Sequence, residues 1–213
     1  MKRNQSGFTL IEIAIVLVII GLLLGGVLKG QELINSAKVK NLATDFKNVP
    51  IYIYGYQDKY KALPGDDLHA DTHLSAASGV TITNGNGNGI IDGDWNAATG
   101  ESFQFWQHIR LAGFGPGATN TADPQYIPTN AVGGPIGVTN SLTNKPITGM
   151  VGTYVVCSDS IPGKFAKQLD VSLDDGNPDT GSVQVTTQGT PTGGAHVPAS
   201  TSDDTTVLVC MGY

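Results

Sequence analysis

The chain is poor in charged residues and lacks the short motifs of common catalytic sites. Asp, Glu, Lys and Arg make up 14% of its 213 residues, and the formal net charge is −6. Proteins that bind nucleic acid through its phosphates usually carry basic surfaces, so the composition does not indicate that class of partner. The sequence contains no GxSxG, HExxH, Walker or CxxC motif. It therefore predicts no hydrolase, metalloprotease, nucleotide-binding or dithiol-redox site.

The four histidines do not form a recognisable ligand pattern either. His69 and His73 are four residues apart and could share a metal ion on a helix. They follow Pro64-Gly65, however, which favours a turn. We interpret them as solvated loop side chains, and we expect a protein that is not an enzyme and has no catalytic residue.

What the sequence does contain is a long apolar stretch close to its N-terminus. Residues 8–28 carry one formal charge, Glu12, and a helix of that length spans roughly 31 Å, about the thickness of a bilayer core. A carboxylate inside such a segment costs about 3 kcal/mol on insertion scales, so its presence indicates function. Lys2 and Arg3 precede the stretch, as expected for the cytoplasmic side.

A secretory signal and an uncut signal anchor are two common kinds of N-terminal apolar segment, and each accounts for only some of these features. A secretory signal has its small-residue cleavage site after the apolar core, and only Asn35-Ser36-Ala37 offers a weak one here. An uncut signal anchor explains the span and the basic residues, but it does not explain Glu12. Glu12 taken alone could also be an interfacial acid that the helix dipole stabilises.

The segment Gly7-Phe8-Thr9-Leu10-Ile11-Glu12 resembles the cleavage and methylation motif of type IV prepilins and type II secretion pseudopilins. This resemblance implies that prepilin peptidase cuts after Gly7 and that Phe8 becomes an N-methylated first residue. It further implies that Glu12 of one subunit meets the new amine of Phe8 on its neighbour during assembly. The resemblance rests on about the first 40 residues of the chain.

The resemblance predicts a structural subunit of a type IV pilus or a pseudopilus-type filament. Its implied partners are prepilin peptidase, the membrane, other pilins of a homo- or hetero-oligomeric filament, and an inner-membrane assembly platform. The subunit would first cross the inner membrane once and then enter a cell-surface pilus or a periplasmic pseudopilus. The alternative is a membrane-anchored, calcium-dependent binding or adhesive module that does not polymerise.

The expected fold is α+β, a pilin-like ladle in which a long N-terminal helix precedes a small antiparallel sheet with long loops. We divide the chain into a leader (1–7), a transmembrane or filament-core helix (8–28), its amphipathic continuation (29–61) and an extracytoplasmic head (62–213). Apolar residues recur at spacings of mostly three or four between Leu33 and Tyr60, which is typical of one buried helix face. Pro50 predicts a kink. Further helices are expected at 101–112 and 162–173, and strands at 150–157, 181–187 and 205–211.

Cys157 and Cys210 are the only cysteines. An even number in an oxidising compartment suggests one disulfide bond, and a bridge in this region also agrees with the resemblance. Two separate buried thiols are the alternative.

Two segments could bind calcium, the one cofactor that the sequence suggests. The first runs from Asn84 to Asp94 and alternates oxygen-bearing side chains with glycine, as calcium loops do. The candidate ligands are Asn84, Asn86, Asn88, Ile90, Asp92 and Asp94. Trp95 replaces the bidentate Glu at position twelve, where Asp94 or Glu101 could substitute. The alternative is a string of Asn-Gly turns without a metal.

The second segment is an acidic turn between the expected helix at 162–173 and the strand at 181–187. Its candidate ligands are Asp174, Asp175, Asn177 and Asp179. The alternative is a surface turn whose carboxylates and amides bind only their own backbone.

Overall fold

The computed structural model describes residues 9–140, 142–197 and 202–213. Its elements follow in the order α1 (Leu10–Tyr60), α2 (Ala70–His73), α3 (Glu101–Leu111), β1 (Ile136–Asn140), β2 (Tyr154–Pro162), α4 (Gly163–Leu173), β3 (Val183–Thr187) and β4 (Thr206–Gly212). They form two compact units, one up to Lys38 and one from Val39 to Tyr213. The predicted α+β class, with a long apolar helix and a small antiparallel sheet, is confirmed.

The first unit contains the apolar part of α1. This helix is the one element of the described chain that is long and apolar enough to cross a membrane. Its large apolar side chains are exposed all round, from Leu10 to Leu28. A helix that is apolar on every face cannot be stable in water by itself, so its natural surroundings are lipid or other apolar helices. The expected helix start at Phe8 lies outside the described residues.

In the second unit the same helix becomes amphipathic. One stripe of side chains is buried at spacings of three or four residues, and it comprises Val39, Leu42, Phe46, Val49, Ile53 and Tyr56. The sequence predicts this spacing, but it places the start of the buried stripe at Leu33, which is 62% exposed in the first unit. The stripe up to Ile53 belongs to a core that includes Phe105 and Ile109 of α3 and Val156 of β2, whereas Tyr56 packs in a smaller cluster with Ala70 and Leu74.

Pro50 lies inside α1, and the helix continues through it. A proline at this position lacks the amide hydrogen that would bind the carbonyl of Phe46. The Tyr213 hydroxyl donates a hydrogen bond to that same carbonyl at 2.7 Å. The C-terminal residue thereby supplies a donor where the proline removes one. The kink expected at Pro50 stays a prediction.

The sheet is antiparallel throughout and has the strand order β1-β2-β4-β3. Its two central strands, β2 and β4, place Cys157 directly opposite Cys210, and these residues form the predicted disulfide bond. Helix α3 contacts β1, and α4 contacts β2, β3 and β4. The disulfide bond excludes the alternative of two separate buried thiols.

Three elements differ from the sequence-based expectation, and the first is α2, a four-residue helix that was not predicted. The strand expected at 150–157 is displaced to Tyr154–Pro162, and β1 was not predicted at all. β1 is only five residues long and contains Gly137, which weakens the strand signal. The structure gives the reason for this glycine, because an added Cβ would collide with the carbonyl of Trp95.

Candidate functional site

Glu12 caps the start of α1 in the isolated chain. The backbone amide and the hydroxyl of Thr9 both donate to Glu12 Oε2, at 2.8 and 2.7 Å, and the Glu12 amide lies 3.4 Å from the Thr9 hydroxyl oxygen. This reciprocal arrangement is a capping box. The carboxylate is therefore ordered by local bonds and remains exposed. The predicted processing residues, Gly7 and Phe8, lie outside the described residues.

The surroundings of Glu12 are apolar and open. Its neighbours Leu10 and Ile11 are 88% and 67% exposed. Farther along, Gly21, Gly25 and Gly26 have no described atom near the place where a Cβ would stand. Glycine at such positions lets another helix approach closely. Chemically, this segment offers one carboxylate within an unpartnered apolar surface.

The Asn-Gly loop folds around two carboxylates that belong to other parts of the chain. Asp66 accepts hydrogen bonds from the amides of Asn88 and Gly89, at 3.0 and 2.8 Å. Glu101 at the start of α3 accepts from the amides of Asn86 and Asp92, at 2.8 and 2.9 Å. Both carboxylates are buried. Backbone N–H groups thus satisfy all four of their oxygens and hold the loop in place.

The first set of predicted calcium ligands is engaged in hydrogen bonds within the protein. The side-chain amides of Asn86 and Asn88 both donate to Asp92 Oδ2, at 3.0 and 2.9 Å. Asn84 is paired with Asp71 through two hydrogen bonds, at 2.8 and 2.9 Å. The loop is therefore more ordered than a string of free turns.

The remaining members of this set lie along the same loop. The Ile90 amide donates to Asn88 Oδ1 at 3.0 Å, and Asp94 Oδ1 accepts from the side chain of Asn144 at 2.9 Å. Sequence reasoning missed Asp66, which precedes the loop by 18 residues and gives no local signal. Calcium binding by this loop stays a prediction.

The second acidic turn brings three carboxylates together. One oxygen each of Asp170, Asp174 and Asp175 lies within 4.8 Å of the others. Of the predicted ligands, Asp174 and Asp175 are therefore in one cluster. Asn177 instead accepts a hydrogen bond from the Asp179 amide at 3.3 Å.

Asp170, on the last turn of α4, was not predicted as part of this cluster. A signal did exist, because Asp170 and Asp174 are four residues apart and so share a helix face. The side chain of Asp170 is fully buried. Its Oδ1 accepts a hydrogen bond from the Gly176 amide at 3.3 Å, whereas its Oδ2 has no hydrogen-bond partner among the described residues. Burial, reinforced by the charges of Asp175 and Asp174, raises the pKa of Asp170 to about 6.

A further polar cluster lies at the end of α1. Tyr56 donates a hydrogen bond to Asp67 Oδ2 at 2.7 Å, and His73 Nδ1 lies 2.7 Å from the same oxygen. Although burial opposes it, these contacts from His73 and Tyr56 lower the pKa of Asp67. The ring of His73 also stacks on Tyr60. The expectation of a solvated loop histidine is therefore wrong for His73, which is tied to the fold by Asp67.

Comparison with known proteins identifies the N-terminal segment. Residues 2–28 match the family model described as the prokaryotic N-terminal methylation motif, the prepilin-type cleavage and methylation signal of type IV pilin-like proteins. Searches of curated proteins and of solved structures returned no match. The motif and the apolar helix indicate a pilin-like precursor that prepilin peptidase processes and that is anchored in a membrane before assembly with other pilins.

Proposed function

We propose that this protein is a structural subunit of a type IV pilus or a pseudopilus-type filament. The observation that carries the proposal is Glu12, an exposed carboxylate near the start of a helix that is otherwise apolar through Leu28. A helix that served only as an anchor would be more stable in lipid without this charge. The acid therefore serves a step that takes place within the membrane.

Cleavage after Gly7 creates that step, because it leaves a positively charged amine on Phe8. Glu12 and Phe8 are four residues apart in the sequence, so the new amine and the carboxylate lie at the same end of the apolar segment. In a filament, the amine of an incoming subunit pairs with Glu12 of the subunit already in place. The pairing neutralises two charges in an apolar medium and fixes the axial stagger of the two helices.

The apolar surface cannot supply this register by itself. Lipid chains are as apolar as leucine side chains, so helices that leave the bilayer gain little hydrophobic free energy by packing together. Close approach at Gly21, Gly25 and Gly26 adds van der Waals contacts. One specific polar contact then selects a single arrangement among many similar ones.

In this mechanism Thr9 stabilises the Glu12 carboxylate before assembly. Its amide and hydroxyl bind the carboxylate in the isolated chain, which reduces the cost of keeping a charge near the helix start. The amine of a neighbouring subunit would replace these hydrogen bonds by a charge-assisted contact.

The test is the substitution Glu12→Ala in cells that contain the complete assembly machinery. We expect normal amounts of the variant in the inner membrane and at least a tenfold loss of the protein from sheared or isolated filaments. Glu32→Ala is the matched control, since Glu32 is an exposed acid of the same helix whose partner is Lys29 at 2.7 Å. That variant should assemble normally.

Mass spectrometry of the mature N-terminus provides an independent check. The protein should begin at Phe8 and carry an N-methyl group. Recovery of chains that still begin at Met1, or normal filaments from the Glu12 variant, would contradict the proposal. A processed protein that stays monomeric in the membrane would instead favour the tethered binding module.

A further inference from the structure

The acidic cluster at the end of α4 differs from every other carboxylate site described above in one respect. At the Asn-Gly loop, backbone amides satisfy both oxygens of Asp66 and of Glu101. In the α4 cluster, Asp170 Oδ2 is buried and unpartnered within the described chain. A buried carboxylate oxygen that accepts no hydrogen bond strongly destabilises the folded protein unless a positively charged group binds it.

The position of the cluster adds to this cost. Asp170 lies in the last turn of α4, and Asp174 is the C-cap residue of that helix. The C-terminal end of a helix carries a partial negative charge and exposes unpaired carbonyl groups. Three aspartates there oppose both the helix dipole and one another, and a cation would relieve all of these repulsions together.

The backbone around the cluster is shaped to admit its carboxylates. Gly176 and Gly181 adopt positive φ values of 83° and 75°, a conformation that L side chains rarely adopt. An added Cβ at Gly181 would also collide with the carboxylate of Asp174. Asp174 Oδ2 accepts the Val183 amide at 2.8 Å, so the turn holds this carboxylate against the start of β3.

The cluster contains only oxygen donors. Such donors suit hard divalent cations, and not zinc or copper, which favour nitrogen and sulfur ligands. A turn built from two positive-φ glycines and two adjacent aspartates adapts more readily to the variable geometry of Ca²⁺ than to the strict octahedron of Mg²⁺. The buried oxygen of Asp170 gives the cluster a ligand that faces away from solvent.

We propose that Asp170, Asp174 and Asp175 bind a calcium ion that joins the end of α4 to the turn before β3. The site is distinct from the Asn84–Asp94 loop and uses a residue, Asp170, that lies outside the predicted turn. Its function is to stabilise the head. A bound calcium ion would hold the connection between α4 and β3 in one conformation. Calcium sites in extracellular domains have dissociation constants of about 10⁻⁴ to 10⁻³ M, and we expect an affinity in that range.

The experiment uses the full-length protein in detergent micelles after treatment with EDTA. Isothermal titration calorimetry with calcium chloride should show saturable binding in the range given above, and the melting temperature should rise in 5–10 mM calcium. Asp170→Asn should weaken this binding at least tenfold and reduce the rise in melting temperature. Magnesium chloride at the same concentration should produce a smaller rise.

Two matched variants locate the site. Asp179→Asn changes an exposed acid of the same turn that lies outside the cluster, and it should bind calcium as the wild type does. Asp92→Asn changes the Asn-Gly loop and should also retain the binding. If Asp92→Asn abolishes the response and Asp170→Asn does not, the calcium belongs to the other loop and the proposal is wrong.

A second readout separates metal binding from a purely structural role of Asp170. In EDTA, Asp170→Asn should melt at the same temperature as the wild type or above it, because it removes a buried charge from a repulsive cluster. In calcium the wild type should have the higher melting temperature of the two proteins. A variant that melts below the wild type by the same amount in both solutions, or a wild type that shows neither heat nor a melting shift in millimolar calcium, would overturn the proposal.

Discussion

Each of the two units contains part of helix α1, but similar apolar side chains of that helix are exposed in the first unit and buried in the second. In the first unit Leu33 is 62% exposed, whereas in the second unit Leu42 is completely buried. Helix α1 is continuous through both, so secondary structure does not account for the difference. What differs is whether the chain itself provides the partner surface.

This difference shows which apolar residues serve folding and which serve association. The second unit buries its apolar stripe in its own core, and that burial stabilises the monomer by about 2 kcal/mol for each large side chain. The first unit leaves its apolar residues to lipid or to neighbouring subunits. Substitutions in the second unit should therefore change the free energy of unfolding, and substitutions in the first should change membrane insertion or assembly.

The largest effect on folding should come from the disulfide bond of the second unit. Cys157 and Cys210 are 53 residues apart, and entropy models assign a loop of that size about 4 kcal/mol of stabilisation. The double variant Cys157→Ser/Cys210→Ser should lose roughly this free energy of unfolding in urea titrations. Its incorporation into membranes should not change, since the first unit contains no cysteine. A loss of membrane insertion would contradict the division between the units.

A pair of isoleucines tests the comparison within a single turn of α1. Ile53 is completely buried, whereas Ile51 is 63% exposed. Ile53→Ala should lower the free energy of unfolding by about 2–4 kcal/mol, and Ile51→Ala should change it by less than about 0.5 kcal/mol. Chemical denaturation of both variants measures the difference. Equal effects would mean that burial does not determine stability along this helix.

The sequence predicted those features that depend on regular spacing. The apolar run, the amphipathic stripe from Leu42 to Tyr56 and the pairing of two cysteines all leave a local or countable signal. The motif around Gly7 identified the N-terminal segment for the same reason. Helix α4 and strands β3 and β4 were expected within two residues of their observed ends.

The features that the sequence did not reveal depend on contacts between distant residues. β1 is stabilised as a strand by pairing with β2, and its Gly137 fits against Trp95. Asp66 reaches the Asn-Gly loop from another part of the chain. Asp170 becomes significant only because α4 ends where the acidic turn folds back on it. The secondary-structure propensity of a segment contains no information about which distant residues it contacts in the folded protein.

The smallest effect that we predict concerns the carbonyl of Phe46, which the Tyr213 hydroxyl binds across the second unit. Tyr213→Phe keeps the ring stacked on Tyr154 but leaves this carbonyl without that donor, and it should cost about 1–2 kcal/mol. Pro50→Ala restores an amide hydrogen within α1 that can bind the same carbonyl.

In the Pro50→Ala background, Tyr213→Phe should therefore cost less than about 0.5 kcal/mol, so the two substitutions should not be additive. Urea denaturation of the four proteins of this cycle measures the coupling. Additive effects would mean that the hydroxyl and the proline act independently. A coupling of the expected sign would show that the C-terminal residue compensates for a proline that a buried helix otherwise tolerates poorly.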